Sequence, residues 1–136
     1  MRKRKYKIWD TEENKWFEPV FEAYNRKIDH LLIGTEGELF RRTFDEFQHE
    51  SIFPNRYIIV DYTGLKDKSG EEIYEGDIVK WDFASGGGMG DVYWKESEGG
   101  FYHTFTDEDG DVRPSKRLWD IIEVIGNIYE NPELLK

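Results

Sequence analysis

The sequence predicts an α+β protein that is mainly β, with a small N-terminal α+β lobe over residues 1–60 followed by a partly open β-barrel over residues 61–136. Three observations carry that expectation. Between Asp77 and Tyr129, short alternating apolar and polar runs recur with a turn signal about every ten residues, the spacing of a small barrel. Residues 43–50 have the spacing of a capped helix, with Thr43 three residues ahead of Glu46. The chain is only 38% hydrophobic, but 16% of it is aromatic, with five Trp, eight Tyr and nine Phe. Rings of that size close a core with few residues, and disordered chains lack them.

In chain order, Lys5 to Trp9 alternates as a strand, and Asp10-Thr11-Glu12-Glu13-Asn14 is turn-like. Trp16-Phe17 opens a second apolar patch that stops at Pro19. Ile28 to Ile33 and Glu38 to Arg42 form a predicted hairpin closed by Gly34-Thr35-Glu36-Gly37. A short helix is expected over residues 44–50, with Phe44 and Phe47 on one face, and Pro54-Asn55 ends it. Arg56 to Asp61, rich in Tyr, Ile and Val, reads as a strand.

Gly64, Gly70 and Gly76 then fall where turns need positive φ or a close approach of backbone, and Asp67-Lys68-Ser69-Gly70 fits a tight turn. From Asp77, Val79, Trp81 and Phe83 share one face of a strand, with Ile78, Lys80 and Asp82 on the other. Val92 to Lys95 and Phe101 to Thr106 are the next two strands. The last lies within residues 118–129, and Asn131-Pro132 opens a one-turn helix.

Two of these stretches are long and specific. Tyr62-Thr63-Gly64-Leu65-Lys66-Asp67-Lys68-Ser69-Gly70-Glu71-Glu72-Ile73-Tyr74-Glu75-Gly76-Asp77-Ile78-Val79-Lys80 and Ile125-Gly126-Asn127-Ile128-Tyr129-Glu130-Asn131-Pro132-Glu133-Leu134-Leu135 together resemble the signature of the YopX family of small phage and prophage proteins. The basic first strand ending in Trp9-Asp10 is similar to the family's start. Asp61 departs from the family's usual glutamine, and residues 81–120 match only loosely. The resemblance implies an SH3-like barrel over residues 61–136 and brings no established activity. Tyr62, Leu65, Ile73, Tyr74, Ile78 and Val79 are expected to recur as packing residues, with Gly76 allowing a sharp bend and Asp77 capping it.

Charge is unevenly placed. Residues 1–60 hold 11 Lys+Arg and 11 Asp+Glu, whereas residues 61–136 hold 8 and 18, which accounts for the net charge of −10. An acidic half repels phosphate backbones. Nucleic acid is therefore disfavoured as a partner, and Arg2-Lys3-Arg4-Lys5 with Lys7 reads as a solubilising tail. No apolar run approaches the roughly 20 residues that span a bilayer, and residues 6–10 are too short and charged for a signal-peptide core. With no cysteine, disulfides, thiol nucleophiles and thiolate metal sites are excluded. The bacterial host cytoplasm is the expected location, with no membrane partner.

The motifs that invite chemistry read as structural. Ser85-Gly86-Gly87-Gly88-Met89-Gly90 lacks the closing Lys-Ser or Lys-Thr and the helix of a phosphate loop, so it reads as a mobile hairpin loop. Asp107-Glu108-Asp109-Gly110-Asp111 has glycine fourth and Leu118 twelfth, against the calcium-loop pattern, and reads as an acidic turn. His30, His49 and His103 share no metal-ligand spacing, and Ser51, Ser69, Ser85, Ser97 and Ser115 lack a nucleophile-elbow context. No catalytic, cofactor or metal residue is assigned, and the chain is expected not to be an enzyme.

The resulting expectation is a non-enzymatic accessory or protein-interaction module acting as a homo-oligomer, with a host or phage protein as a further partner. The aromatics Trp9, Trp16, Phe17, Trp94 and Trp119 are the surplus that suggests assembly. The alternatives are a nucleic-acid-binding module using residues 2–5 and an acidic decoy that engages a host protein.

Overall fold

A computed structural model describes residues 4–83, 86–95, 100–104, 111–112 and 121–135. It divides into two compact units, Ile8–Ile58 and a second made of Met1–Lys7 with Ile59–Lys136. Among the described residues the chain is mostly β, and its helical turns are short 3₁₀ turns.

In the Ile8–Ile58 unit, the end of β1 (Tyr6–Asp10) pairs with β2 (Lys15–Trp16), Trp9 opposite Trp16 and Asp10 opposite Lys15. The turn between them is built by Asp10, whose Oδ1 accepts from the backbone N–H groups of Glu12 at 3.0 Å and Glu13 at 3.2 Å. A four-stranded antiparallel sheet follows in the order β3 (Val20–Glu22), β4 (Lys27–Ile33), β5 (Leu39–Thr43), β6 (Phe47–His49). The β4–β5 hairpin closes through residues 34–37 as expected: Gly34 N–H donates to Glu38 O at 2.7 Å and Gly37 has φ +84°.

The expected helix over residues 44–50 is absent, so this lobe is not α+β. Thr43 does accept from Glu46 N–H through its hydroxyl at 3.1 Å, as a cap would. However, Thr43 N–H also donates to Glu46 O at 2.9 Å. That reciprocal bond closes a four-residue hairpin loop with Arg42 opposite Phe47. A capping box and such a loop share the same Thr-x-x-Glu spacing, and the pairing edge of β5 decides between them. The helical turn that follows this hairpin is 3₁₀, at Glu50–Ile52.

In the other unit, which takes in β7 (Tyr57–Lys66) from Ile59 on, that strand continues past the expected end at Asp61 and pairs with β8 (Glu72–Tyr74), Tyr62 opposite Tyr74. A five-stranded sheet in the order β12 (Asp111–Val112), β11 (Gly100–Thr104), β10 (Gly86–Lys95), β9 (Asp77–Phe83), β13 (Glu123–Asn127) curls into a half-barrel. Its core is Ile73, Val79, Trp81, Val92 and Ile122, all buried, with Ile121 and Val124 packed against them. Val79 and Trp81 sit inside while Lys80 and Asp82 are exposed, which is the predicted alternation.

The Gly-rich run is a second correction. Residues 86–90 form the first half of β10, with Gly88 opposite Trp81 and Gly90 opposite Val79. A Cβ on Gly88 would lie 2.4 Å from the Trp81 ring, so only a bare backbone lets the indole lie across the neighbouring strand. The acidic run at 107–110 and Trp119 lie outside the described residues. Pro132–Leu135 forms the expected single turn, as 3₁₀.

Candidate functional site

The signature stretches are occupied in holding the half-barrel unit together. Asp67, nearly fully buried, accepts from Ser69 N–H, Glu71 N–H and Ser69 Oγ through Oδ1, and from Val124 N–H through Oδ2 at 2.9 Å. Lys68 N–H donates to Ile122 O at 3.1 Å. One loop thereby fastens the last strand. Gly76, at φ +88°, donates to Val92 O and accepts from Ile128 N–H, and a Cβ there would meet the Tyr129 ring at 3.0 Å. Asp77 caps the bend by accepting from Tyr74 N–H at 2.8 Å. Of the expected packing residues, Tyr62, Ile73, Tyr74, Ile78 and Val79 are buried, whereas Leu65 is exposed.

The histidines separate by position. His30 Nδ1 meets Leu31 O at 2.9 Å. His49 makes a carboxylate–imidazole–hydroxyl chain, with Nε2 on Glu38 and Nδ1 at 3.0 Å from Ser51 Oγ. The Nδ1 atom also accepts from Ser51 N–H at 3.2 Å, so the ring caps the 3₁₀ turn. That capping bond accounts for the arrangement without nucleophilic chemistry. Ser69 belongs to the Asp67 turn. His103 lies on β11 opposite Val92 and Val112. Among the described residues, no group of three or more His, Asp or Glu side chains could hold a metal ion, and no helix is long and apolar enough to cross a membrane.

Two features of the Ile8–Ile58 unit are candidates for binding. The first is a sheet face. Residues opposite each other on paired strands project to the same side, and alternate residues along a strand do likewise. The registers Phe21–Ile28, His30–Arg42, Leu32–Phe40, Arg42–Phe47 and Phe40–His49 therefore place all eight side chains on one side of the sheet. None of the eight is buried: Phe21 is 73% exposed, Phe47 59% and Leu32 44%. The Phe40 and Phe47 rings stack at 5.2 Å, and His49 meets Phe40 edge-on at 5.4 Å. The other side of the sheet carries the buried Leu31 and Leu39.

The second feature is a polar cavity of about 490 Å³ on that inner side. Two bidentate ion pairs line it. Arg56 Nε and Nη2 donate to Asp10 at 3.2 and 3.1 Å, and Arg41 Nε and Nη2 donate to Asp29 at 2.9 and 3.0 Å. The Tyr57 ring is held among Phe17, Phe53 and the Arg56 guanidinium. Burial pushes the phenol above its ordinary range, against the pull of the Arg41 and Arg56 charges, so its O–H stays protonated.

Of the aromatics expected to drive assembly, Trp9 is buried with Trp16 edge-on to it at 5.0 Å and Phe17 is half-buried against Tyr57, whereas Trp94 is exposed. The sequence reading misses the exposed rings Phe21 and Phe47, because it places Phe47 on a helix and ends the preceding apolar patch at Pro19. The signal was present in the matching alternation of Ile28-His30-Leu32 with Phe40-Arg42.

Fold and surface define a small β protein with a half-barrel unit and a second sheet unit that presents an open face. The YopX family, described as YopX protein, matches residues 5–136, and the chain belongs to it. Among solved structures, it is similar to protein EF1440 from Enterococcus faecalis, with 31% identity, TM-score 0.60 and 100% of both chains covered. It also shares the fold of protein yopX from Bacillus subtilis, with 24% identity, TM-score 0.61 and the same full coverage. No curated protein matches the chain.

Proposed function

We propose that this chain is a non-enzymatic interaction module of phage or prophage origin that works as a homo-oligomer in the bacterial cytoplasm, joined through the outer face of the β3–β6 sheet. The half-barrel, of SH3 type in this reading, serves as its scaffold. The observation that supports the reading is the composition of that face. Five of its eight side chains are Phe, Ile or Leu, and none is a carboxylate, in a protein with 29 Asp and Glu.

Interface centres are depleted of charge and enriched in aromatics in this way. A second copy suits the face better than nucleic acid does, because the Ile8–Ile58 unit holds 11 Asp+Glu against six Lys+Arg. A net charge of −5 around the patch repels phosphates, whereas two copies of an apolar face complement each other about a two-fold axis. Sedimentation at high micromolar concentration tests the reading. The expected result is a dimer or higher oligomer that Phe21→Ser with Phe47→Ser converts to monomer with unchanged circular dichroism. A strictly monomeric parent protein overturns it, and a salt-sensitive gel shift with single-stranded DNA would favour the nucleic-acid alternative instead.

A further inference from the structure

Resting on the self-association of the preceding reading, we propose that two copies stack their β3–β6 sheets about a two-fold axis that crosses β5 at Phe40. In that antiparallel register, Arg42 of each copy meets the partner's Glu38. Arg42 is the odd residue of the face. It stands opposite both His30 and Phe47, and it is exposed. Other arginines of the unit are engaged: Arg41 with Asp29, Arg56 with Asp10, and Arg26 over the Phe44 ring. The Arg42 guanidinium has neither an ion pair nor a hydrogen bond among the described residues. In water this costs nothing. Once the face is covered, the charge is stranded unless the covering surface brings a carboxylate.

Glu38 is that carboxylate. It precedes Arg42 by four residues, two steps of alternation, and so projects to the same side of the sheet. His49, on that side opposite Phe40, donates from Nε2 to Glu38 Oε2, which holds the carboxylate at the margin of the apolar patch and leaves Oε1 for a second cation. Glu38 and Arg42 lie equally far from Phe40 along the strand, about 7 Å each way. A two-fold axis between the stacked sheets, perpendicular to β5, reverses the strand and exchanges them, so both pairs form together. Stacked sheets lie roughly 10 Å apart, a gap that an arginine and a glutamate close from opposite sides. A crossing angle of about 30° displaces residues this near the axis by only about 4 Å. Other registers fail on charge. Moving the axis one residue toward Arg42 stands each guanidinium on the partner's Phe40 without a carboxylate, and moving it two sets the guanidiniums against each other. An axis parallel to the strands keeps Arg42 level with the partner's Arg42 and His30. The rings supply the attraction, while the pairs, enclosed and so little screened, select the register and a second copy of this chain.

The test is a charge exchange in the full chain, read by sedimentation equilibrium at about 0.15 M salt. Arg42→Glu sets two carboxylates against each other twice, and Glu38→Arg does the same with two guanidiniums. Each variant alone should raise the dimer dissociation constant at least about ten-fold, with unchanged circular dichroism. An equal mixture of the two brings a doubly acidic margin against a doubly basic one. It should associate within about three-fold of the parent protein, and the chain carrying both changes should recover its homodimer to the same degree. Glu38→Arg also removes the bond to His49, but a defect of that local kind would persist in the mixture, so recovery reads the pairing itself. A dimeric parent that both single changes leave unaltered, or a mixture no tighter than its components, overturns the register while leaving the sheet face as the contact. A parent that stays monomeric overturns the register and the self-association together.

Discussion

Two aspartates in the signature stretch show how the same side chain takes opposite roles. Burial alone would raise Asp67, but N–H donation from Val124, Glu71 and Ser69 outweighs it, and the carboxyl is held below its ordinary value of 3.8. Its folded state thus binds fewer protons than the unfolded one near that value. The stability it contributes is fully present above about pH 4 and is lost as pH falls further. Asp67→Asn puts an amide donor against Val124 N–H or the Ser69–Glu71 turn, and should cost about 2–3 kcal/mol in urea unfolding at neutral pH, less at pH 3.

Asp77 runs the other way. Burial dominates, only partly offset by the Tyr74 N–H and the charge of Lys7, and its pKa is pushed up to about 6. Between its ordinary 3.8 and 6 the folded state holds the extra proton, so stability falls as pH rises through that window and is level above it. An asparagine can still accept from Tyr74 N–H without being ionised. Asp77→Asn should therefore compare more favourably with the parent at pH 8 than at pH 4, by up to roughly 3 kcal/mol. A difference that does not change with pH would mean that the buried carboxyl does not titrate there. Both capping roles were legible in Asp-x-x-Gly and Gly-Asp spacing. The reach from Asp67 to Val124 was not, because a hydrogen bond across 57 residues leaves no local pattern.

At the scale of elements, the legible features were those whose side chains alternate against one buried surface. β9, with Val79 and Trp81 inside, and the 28–42 hairpin both followed from period two and a Gly-flanked turn. The misread elements are those where one pattern has two structural solutions. Thr43-Phe44-Asp45-Glu46 fits a helix cap and a hairpin loop equally, and the edge of β5 selects the loop. The Gly-rich run looks like loop because glycine weakens strands. Here its missing side chains are the space Trp81 occupies across Gly88. The two readings of that run predict different outcomes for Gly88→Ala. In a mobile loop the change would be harmless. Against the indole ring it should destabilise the half-barrel by about 1–3 kcal/mol and shift the tryptophan emission toward that of a more solvated ring. Gly87→Ala is not a neutral control, since a Cβ there would meet Trp81 O at 2.7 Å.

Across the whole molecule, charge and apolar surface work against each other, and their balance sets how association should respond to salt. The chain carries −10 in total, so two copies repel at long range whatever face they use. The proposed contact is the β3–β6 face, with exposed Phe21, Leu32 and Phe47 and no carboxylate. Its attraction is hydrophobic and insensitive to ionic strength, while the repulsion is screened once the Debye length shrinks toward about 10 Å at 0.1 M salt. Self-association should therefore tighten as salt rises from about 0.02 to 0.3 M, with the dimer dissociation constant falling several-fold. Nucleic-acid contacts made through residues 2–5 would respond in the opposite sense, because counterion release makes them weaken steeply over the same range. Sedimentation equilibrium across a salt series separates the two. A mass that climbs with salt supports the open sheet face as the contact, and a mass that drops with salt assigns the association to ion pairs and removes that face from the account.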